Sequence, residues 1–457
     1  MARLTSYENL PTMSIYQAYP KNEFAMNPNV LIVGAGAVAH VAAHKAAQNN
    51  DVLGDICIAT RKKAKADKII ESIKRKKSIK NKDGKIYSRE VDAMNISAMV
   101  KLIKDTDSSI VINLGTAYIN MSVLEACIRA KVTYMDTAIH EDPAKVAEDP
   151  PWYANYEWKK KAACKKAGIN AILGVGFDPG VVNAYAALAQ KHYIDKIDTV
   201  DILDVNAGTH GRYFATNFDP EINFREFKKV WTWINRTWVE RPVHSERWDY
   251  TFPVVGSRPV YLNGHDELHS LSKNIKARSI RFWMGFGDHY LNVFGVLRNL
   301  GMLSEKPITT AEGVKVVPLK VLKAVLPDPA SLAKTYTGYT CIADLVKGWK
   351  DGKWREVLIY NNCDHAKCYK EVESQAISYT AGVPPVAAAI LVAKGIWNPQ
   401  TMVNVEELDP DPFLQLLGKM GLPTKVKDVT PKNGKPSKDG MPASAAKSNS
   451  IKVTAVW

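Results

Sequence analysis

The sequence predicts an α/β fold in which a doubly wound parallel sheet is interrupted by an inserted α+β domain, and three observations carry that expectation. A short apolar run at 29–33 leads through Gly34-Ala35-Gly36-Ala37-Val38-Ala39 directly into a helical stretch at 40–49. Further short runs at 55–59, 109–114, 133–136 and 170–175 alternate with amphipathic segments, as parallel strands joined by helical crossovers do. From residue 198 the texture changes to runs alternating apolar with polar, such as DTVDILDVNAG and REVLIYNNC, which predicts antiparallel pairing in a second unit.

Taken in order, residues 1–28 are polar, lack a period and read as an N-terminal extension. Residues 29–197 form the first α/β domain, closed by helices at 152–167 and 181–193 around the turn Asp178-Pro179-Gly180. Residues 198–372 form the inserted α+β unit for substrate and dimerisation. The stretch 374–397, a small-residue helix carrying Pro384-Pro385, opens a return to the first domain over 373–425. Residues 426–457, rich in Lys, Pro, Ser and Gly, read as a disordered tail.

Charge narrows the function classes. The formal net charge is +14, concentrated in 74–85 and in the last 33 residues, where seven lysines face two aspartates. Neither stretch interleaves basic with aromatic residues as a single-strand binder does, so both read as solvated surface and a nucleic-acid role is the lesser hypothesis. No apolar run approaches the roughly 20 residues of a membrane helix, and six scattered cysteines without a leader segment suit a soluble cytoplasmic protein. Cys363 to Cys368 brackets His365, but nothing elsewhere completes a four-ligand site, so it reads as a structural loop and no metal is expected.

The glycine motif has the context that gives it meaning: strand before, helix after and a second strand about 20 residues on. This is the Rossmann arrangement. Gly34 permits the tight turn, Gly36 admits a pyrophosphate, and Ala37 and Val38 begin the helix whose N-terminus favours phosphate. The second strand ends in Thr60-Arg61-Lys62-Lys63 with no carboxylate to accept from a ribose 2′-hydroxyl, so NADP(H) is expected over NAD(H). Gly115 and Thr116, after the strand at 109–114, are expected cofactor contacts. Asp136 ends the next strand and reads either as a proton-transfer group beside the crevice or as a helix cap. Asp178 reads as a turn residue or as an anchor for a substrate ammonium.

The segments GAGAVA, ATRK, MDTA and GVGFDPG, with VNAGTHGRYFATNFDPEIN and ESQAISYTAGVP, resemble the saccharopine dehydrogenase-like family in its carboxynorspermidine dehydrogenase branch, over about residues 29 to 424. The resemblance implies an NADPH-dependent reductive condensation of L-aspartate β-semialdehyde with 1,3-diaminopropane or putrescine, in a homodimer. It directs attention to Asn206, His210, Asn217 and Asp219, with Arg212 and Arg225 for a substrate carboxylate and Glu221 for an ammonium. His210 is a candidate acid, although each of these residues also fits loop scaffolding. Ser374, Gln375 and Tyr379 read equally as crevice or core. The alternatives are a saccharopine reductase-like activity, homospermidine synthesis, which the Thr60-Arg61 pair disfavours, and a non-catalytic NADP-binding sensor.

Overall fold

The computed structural model describes residues 4–6, 27–142, 144–145, 148–218, 220–225 and 230–437. Strands Asn29–Val33 (β1), Ile56–Thr60 (β2), Ile86–Glu90 (β3), Ser108–Asn113 (β4), Thr133–Asp136 (β5) and Ala171–Leu173 (β6) run parallel in the order β3-β2-β1-β4-β5-β6. Met402–Asn404 returns from the far end of the chain as a seventh strand beside β6. Val30, Leu31, Ile32 and Ile58 are fully buried, as expected of a sheet covered on both faces. The sequence reading omitted β3, whose short IYSRE run is only partly buried and lies at the sheet edge.

Helix Ala37–Ala47 (α1) follows β1, and Lys63–Lys76 (α2) follows β2. The stretch expected as one helix over 152–167 is two 3₁₀ turns, Trp152–Ala154 and Glu157–Lys160, and a short helix, Lys161–Ala167. The expected helix with the proline pair is Ala376–Ala393 (α3). It packs on α1, where a Cβ at Gly382 would lie 2.7 Å from the Val38 carbonyl oxygen. Among the described residues α3 alone is long and apolar enough to cross a membrane, and 78% of it is buried inside the fold, as in a core helix.

The inserted unit starts at Lys196–Asn206 (β7) and continues through Arg247–Phe252 (β8), Gly256–Asn263 (β9), Ser279–Gly285 (β10), Tyr339–Lys350 (β11) and Lys353–Asp364 (β12). Pairing runs β12-β11-β7-β10-β9-β8. It is antiparallel as expected except at its centre, where β7 and β10 run parallel with Asp204 opposite Met284. Alternation reports which face is buried and is silent on strand direction, so this pair was not legible.

Lys425–Asp428 (β13) pairs with Val357–Tyr360 of β12, and Leu4–Ser6 pairs with β13. The chain beyond Val426 was expected to be a disordered tail, and for 426–437 that is corrected. Ser437 donates from its backbone N to Glu356 at 2.7 Å and its hydroxyl accepts from Lys347 at 2.9 Å. The flanking lysines hide a strand pattern in which only Val426 is buried. Residues 438–457, and the extension apart from 4–6 and 27–28, lie outside the described residues.

Candidate active site

A cleft of 1860 Å³ opens between the carboxyl edge of the parallel sheet and the inserted sheet, running from the glycine turn to β7 and β10. At its first end Gly34 has φ +114°, and a Cβ there would fall 2.5 Å from the Leu114 carbonyl oxygen, so the β1–β4 junction admits only glycine. Gly36 caps α1, and a Cβ there would meet nothing within 4 Å. It faces open cleft. The first turn of α1 has no acidic residue and no side-chain cap, which leaves its N–H groups and the helix dipole for an anion.

Ala37, Val38, Thr60, Arg61, Gly115 and Thr116 all line this end, where the sequence reading put them. No acidic residue lies in the chain between Thr60, which ends β2, and Lys65. Lys63 is paired with Asp67 at 3.0 Å, and Lys65, four residues beyond Arg61, lines the cleft in its place. The cradle therefore fits a nucleotide whose ribose carries a phosphate.

The far end is acidic. Asp178 lines the cleft and hydrogen-bonds to Asp204 of β7. Burial pushes the Asp204 carboxyl up to about 6, and Asp266, beyond β9, also rises to about 6 for the same reason. Asp266 accepts the Ile139 N–H at 2.8 Å, which ties the loop after β9 to the loop after β5. His265 lines the same wall with its ring stacked on Phe282 at 4.0 Å and its Nδ1 2.6 Å from Glu267 Oε2. Thr340, in register with Asn206, presents a buried hydroxyl with no protein partner. Sequence reasoning missed Asp204, His265, Asp266 and Glu267. One signal existed for Asp204, which lies two residues before Asn206 and so shares its strand face.

Asn206 and Asn217 are brought together through Tyr336, which donates to Asn217 Oδ1 at 2.7 Å and accepts from Asn206 Nδ2. His365 stacks on Tyr336 at 3.8 Å. Its Nδ1 accepts the Ala376 N–H and its Nε2 meets Asn206 Oδ1, which is the neutral tautomer; burial holds it down to about 4. The ring is thus held against Asn206 and Tyr336, and the sulfurs of Cys363 and Cys368 lie 3.3 Å apart. His210 lines the mouth with Nδ1 accepting the Arg212 N–H, and burial lowers its pKa. Arg212 is exposed beside it. Ser374 lines the cleft, Gln375 caps α3 through the Ile377 N–H, and Tyr379 is core, donating to Glu371.

Four expected residues are corrected or fall outside the description. Asp136 does not border the cleft and caps no helix. It is 1% exposed, and its oxygens accept the Gly174 N–H at 2.7 Å and the Tyr134 hydroxyl at 2.8 Å, which joins β5 to the turn after β6. Glu221 stands outside the lining with Lys323 at 3.4 Å, so it is already charge-paired rather than turned to a substrate ammonium. The Arg225 side chain and Asp219 lie outside the described residues.

Asp136 provides a pH test. Burial raises its carboxyl to about 7, so the folded chain keeps a proton that the unfolded chain loses near pH 4. The stabilisation is full below pH 4 and is lost as pH rises through 7. Asp136→Asn, neutral throughout and able to keep both contacts, should gain on the order of 2–4 kcal/mol over the parent between pH 4 and 8. Denaturant melts at pH 5 and pH 8 check this; an unchanged difference would show that Asp136 is ionised in the fold.

Comparison with known proteins agrees with this geometry. The family model described as saccharopine dehydrogenase NADP binding domain matches residues 30–172, and that of the saccharopine dehydrogenase C-terminal domain matches 176–422. The chain is 50% identical over 403 residues to carboxynorspermidine synthase of Vibrio alginolyticus, covering 88% of this chain and 97% of that protein. It is 44% identical to carboxyaminopropylagmatine dehydrogenase of Synechocystis, covering 86% of this chain and 96% of that protein. Among solved structures, a saccharopine dehydrogenase (L-Glu forming) of Saccharomyces cerevisiae matches with TM-score 0.64 and 16% identity, over 88% of this chain and all of that one. The last is a likeness of fold.

Proposed function

The chain belongs to the saccharopine dehydrogenase family, and from that premise we propose that it catalyses the NADPH-dependent reductive condensation of L-aspartate β-semialdehyde with 1,3-diaminopropane or putrescine, giving carboxynorspermidine or carboxyspermidine. The observation that carries this reading is the polarity of one cleft. At its nucleotide end the segment after β2 offers Arg61 and Lys65 to the cleft with no carboxylate between them in the chain, whereas Asp178, Asp204 and Asp266 stand at the other end. That division suits a phosphorylated dinucleotide at one end and a cationic amine at the other. The likeness to carboxynorspermidine synthase supports the same pair of substrates.

When bound, NADPH supplies the hydride that reduces the imine carbon. The protein's part is to orient and to neutralise. The α1 amides and Gly36 receive the pyrophosphate, Thr60, Arg61 and Lys65 receive the 2′-phosphate, and the acidic wall receives the distal ammonium of the diamine. The net positive charge does not oppose a cationic substrate, because the carboxyls that meet it decide binding. Cytoplasmic location, a homodimer, and the absence of nucleic-acid and membrane partners complete the reading.

The test follows NADPH absorbance with aspartate semialdehyde, adding 1,3-diaminopropane, putrescine, agmatine or glutamate separately. Oxidation with a diamine is the expected result; oxidation only with agmatine would move the amine, and oxidation only with glutamate would overturn the reading. Arg61→Ala should lower kcat/KM for NADPH by about 10–100-fold and leave NADH nearly unchanged, the loss of one charge-assisted contact. An equal loss with both nucleotides would show that Arg61 does not meet the 2′-phosphate.

A further inference from the structure

The loop after β9 carries a group that no cofactor or ammonium contact uses. His265 Nδ1 lies 2.6 Å from Glu267 Oε2, and Glu267 is fully buried with its other oxygen making no hydrogen bond among the described residues. The imidazole is held flat on Phe282 and is 11% exposed, toward the cleft. Asp266, between the two, is bonded to Ile139 on the loop leaving β5, so the ring sits at the carboxyl edge of the parallel sheet. An imidazole oriented through one nitrogen by a buried carboxylate, in the wall of the cleft, is the arrangement that shuttles protons.

We infer that His265 is the proton-transfer residue of imine formation and that Glu267 is its positioning residue; this rests on the reductive condensation proposed above. His265 takes a proton from the reacting ammonium, the freed amine adds to the aldehyde carbon, and one of its two remaining N–H protons passes to the oxygen to give a carbinolamine. The imidazolium then protonates the carbinolamine hydroxyl, the C–O bond breaks, the nitrogen lone pair forms C=N, and water leaves. His265 ends neutral, and the ammonium's proton departs in the water. Hydride transfer needs no proton from this ring. His210, the acid expected from the sequence, lies at the mouth beside exposed Arg212, and among the described residues no carboxylate bonds to it.

The reverse reaction separates the steps, because removal of hydride from the carboxylated triamine by NADP⁺ precedes water addition. With saturating NADP⁺ and carboxynorspermidine, His265→Gln should keep a rapid burst of one NADPH per site while its steady-state rate falls by about 100-fold or more. Glu267→Gln, isosteric in a buried position, should keep the burst and lose about tenfold in steady state, and it carries the test if His265→Gln fails to fold. NADP⁺ affinity, measured by fluorescence, should stay within threefold in both. Wild-type steady-state rates in the folded His265→Gln protein, or a burst lost in proportion to the steady-state rate, would overturn the inference. A wild-type protein that shows neither burst nor turnover would instead overturn the reductive condensation itself.

Discussion

Gly36→Val should melt at the parental Tm yet bind NADPH at least about 100-fold more weakly, whereas Gly34→Ala should lose the fold. The two glycines lie two residues apart in one motif, and the structure separates what each does. At Gly36 a Cβ meets nothing within 4 Å, so a valine fits the protein and occupies only the space a pyrophosphate needs. At Gly34 the backbone is at φ +114°, where an L residue is strained, and the added carbon would press on the Leu114 carbonyl oxygen at 2.5 Å. Relief requires β1 and β4 to separate at the centre of the sheet, at a cost of about 3 kcal/mol or more. Thermal melts with nucleotide titration check both. A Gly36→Val protein that binds NADPH normally would place the dinucleotide elsewhere in the cleft.

Asp204→Asn is expected to lower kcat/KM for the diamine by about 100-fold while NADPH affinity stays unchanged. Asp204 and Asp178 share a hydrogen bond, which two carboxyls make only while a proton lies between them. An incoming ammonium replaces that proton as the positive partner. With the Asp204 carboxyl pushed up to about 6 by burial, amine KM should fall as pH rises through 6, as Asp204 ionises. The amide of the variant removes both the charge and this dependence. The measurement is amine KM from pH 5 to 8 in the two proteins, and a parallel slope in the variant would remove Asp204 from amine recognition.

The residues that sequence reading placed well are those whose neighbours in space are neighbours in the chain. β1, the glycine turn and α1 form one continuous segment, 29–47, and Thr60 and Arg61 follow from the end of β2, so the nucleotide end was legible before any tertiary contact was known. Asp136 shows where that logic stops. A carboxylate ending a parallel strand has the same local sequence whether it faces the cleft or a neighbouring turn. Its actual donor, the Gly174 N–H, lies 38 residues away.

Of the acidic wall the sequence offered only Asp178, and the rest was illegible for the same reason. Asp178, Asp204 and the His265-Asp266-Glu267 loop come from three separate elements with no spacing that links them, and only the packing of β7 beside β10, in an unexpected parallel pair, draws them to one face. The strand at 425–428 likewise exists because β12 presents an edge to it, not because KVKD favours extension. By itself, then, the sequence determined the parallel sheet, the dinucleotide cradle and the preference for a phosphorylated ribose, all consequences of local conformation and of which charges adjoin a turn. Tertiary structure alone decided which carboxyls are shut away and which line the cleft, because desolvation and pairing depend on groups that only folding brings within a few ångströms of one another.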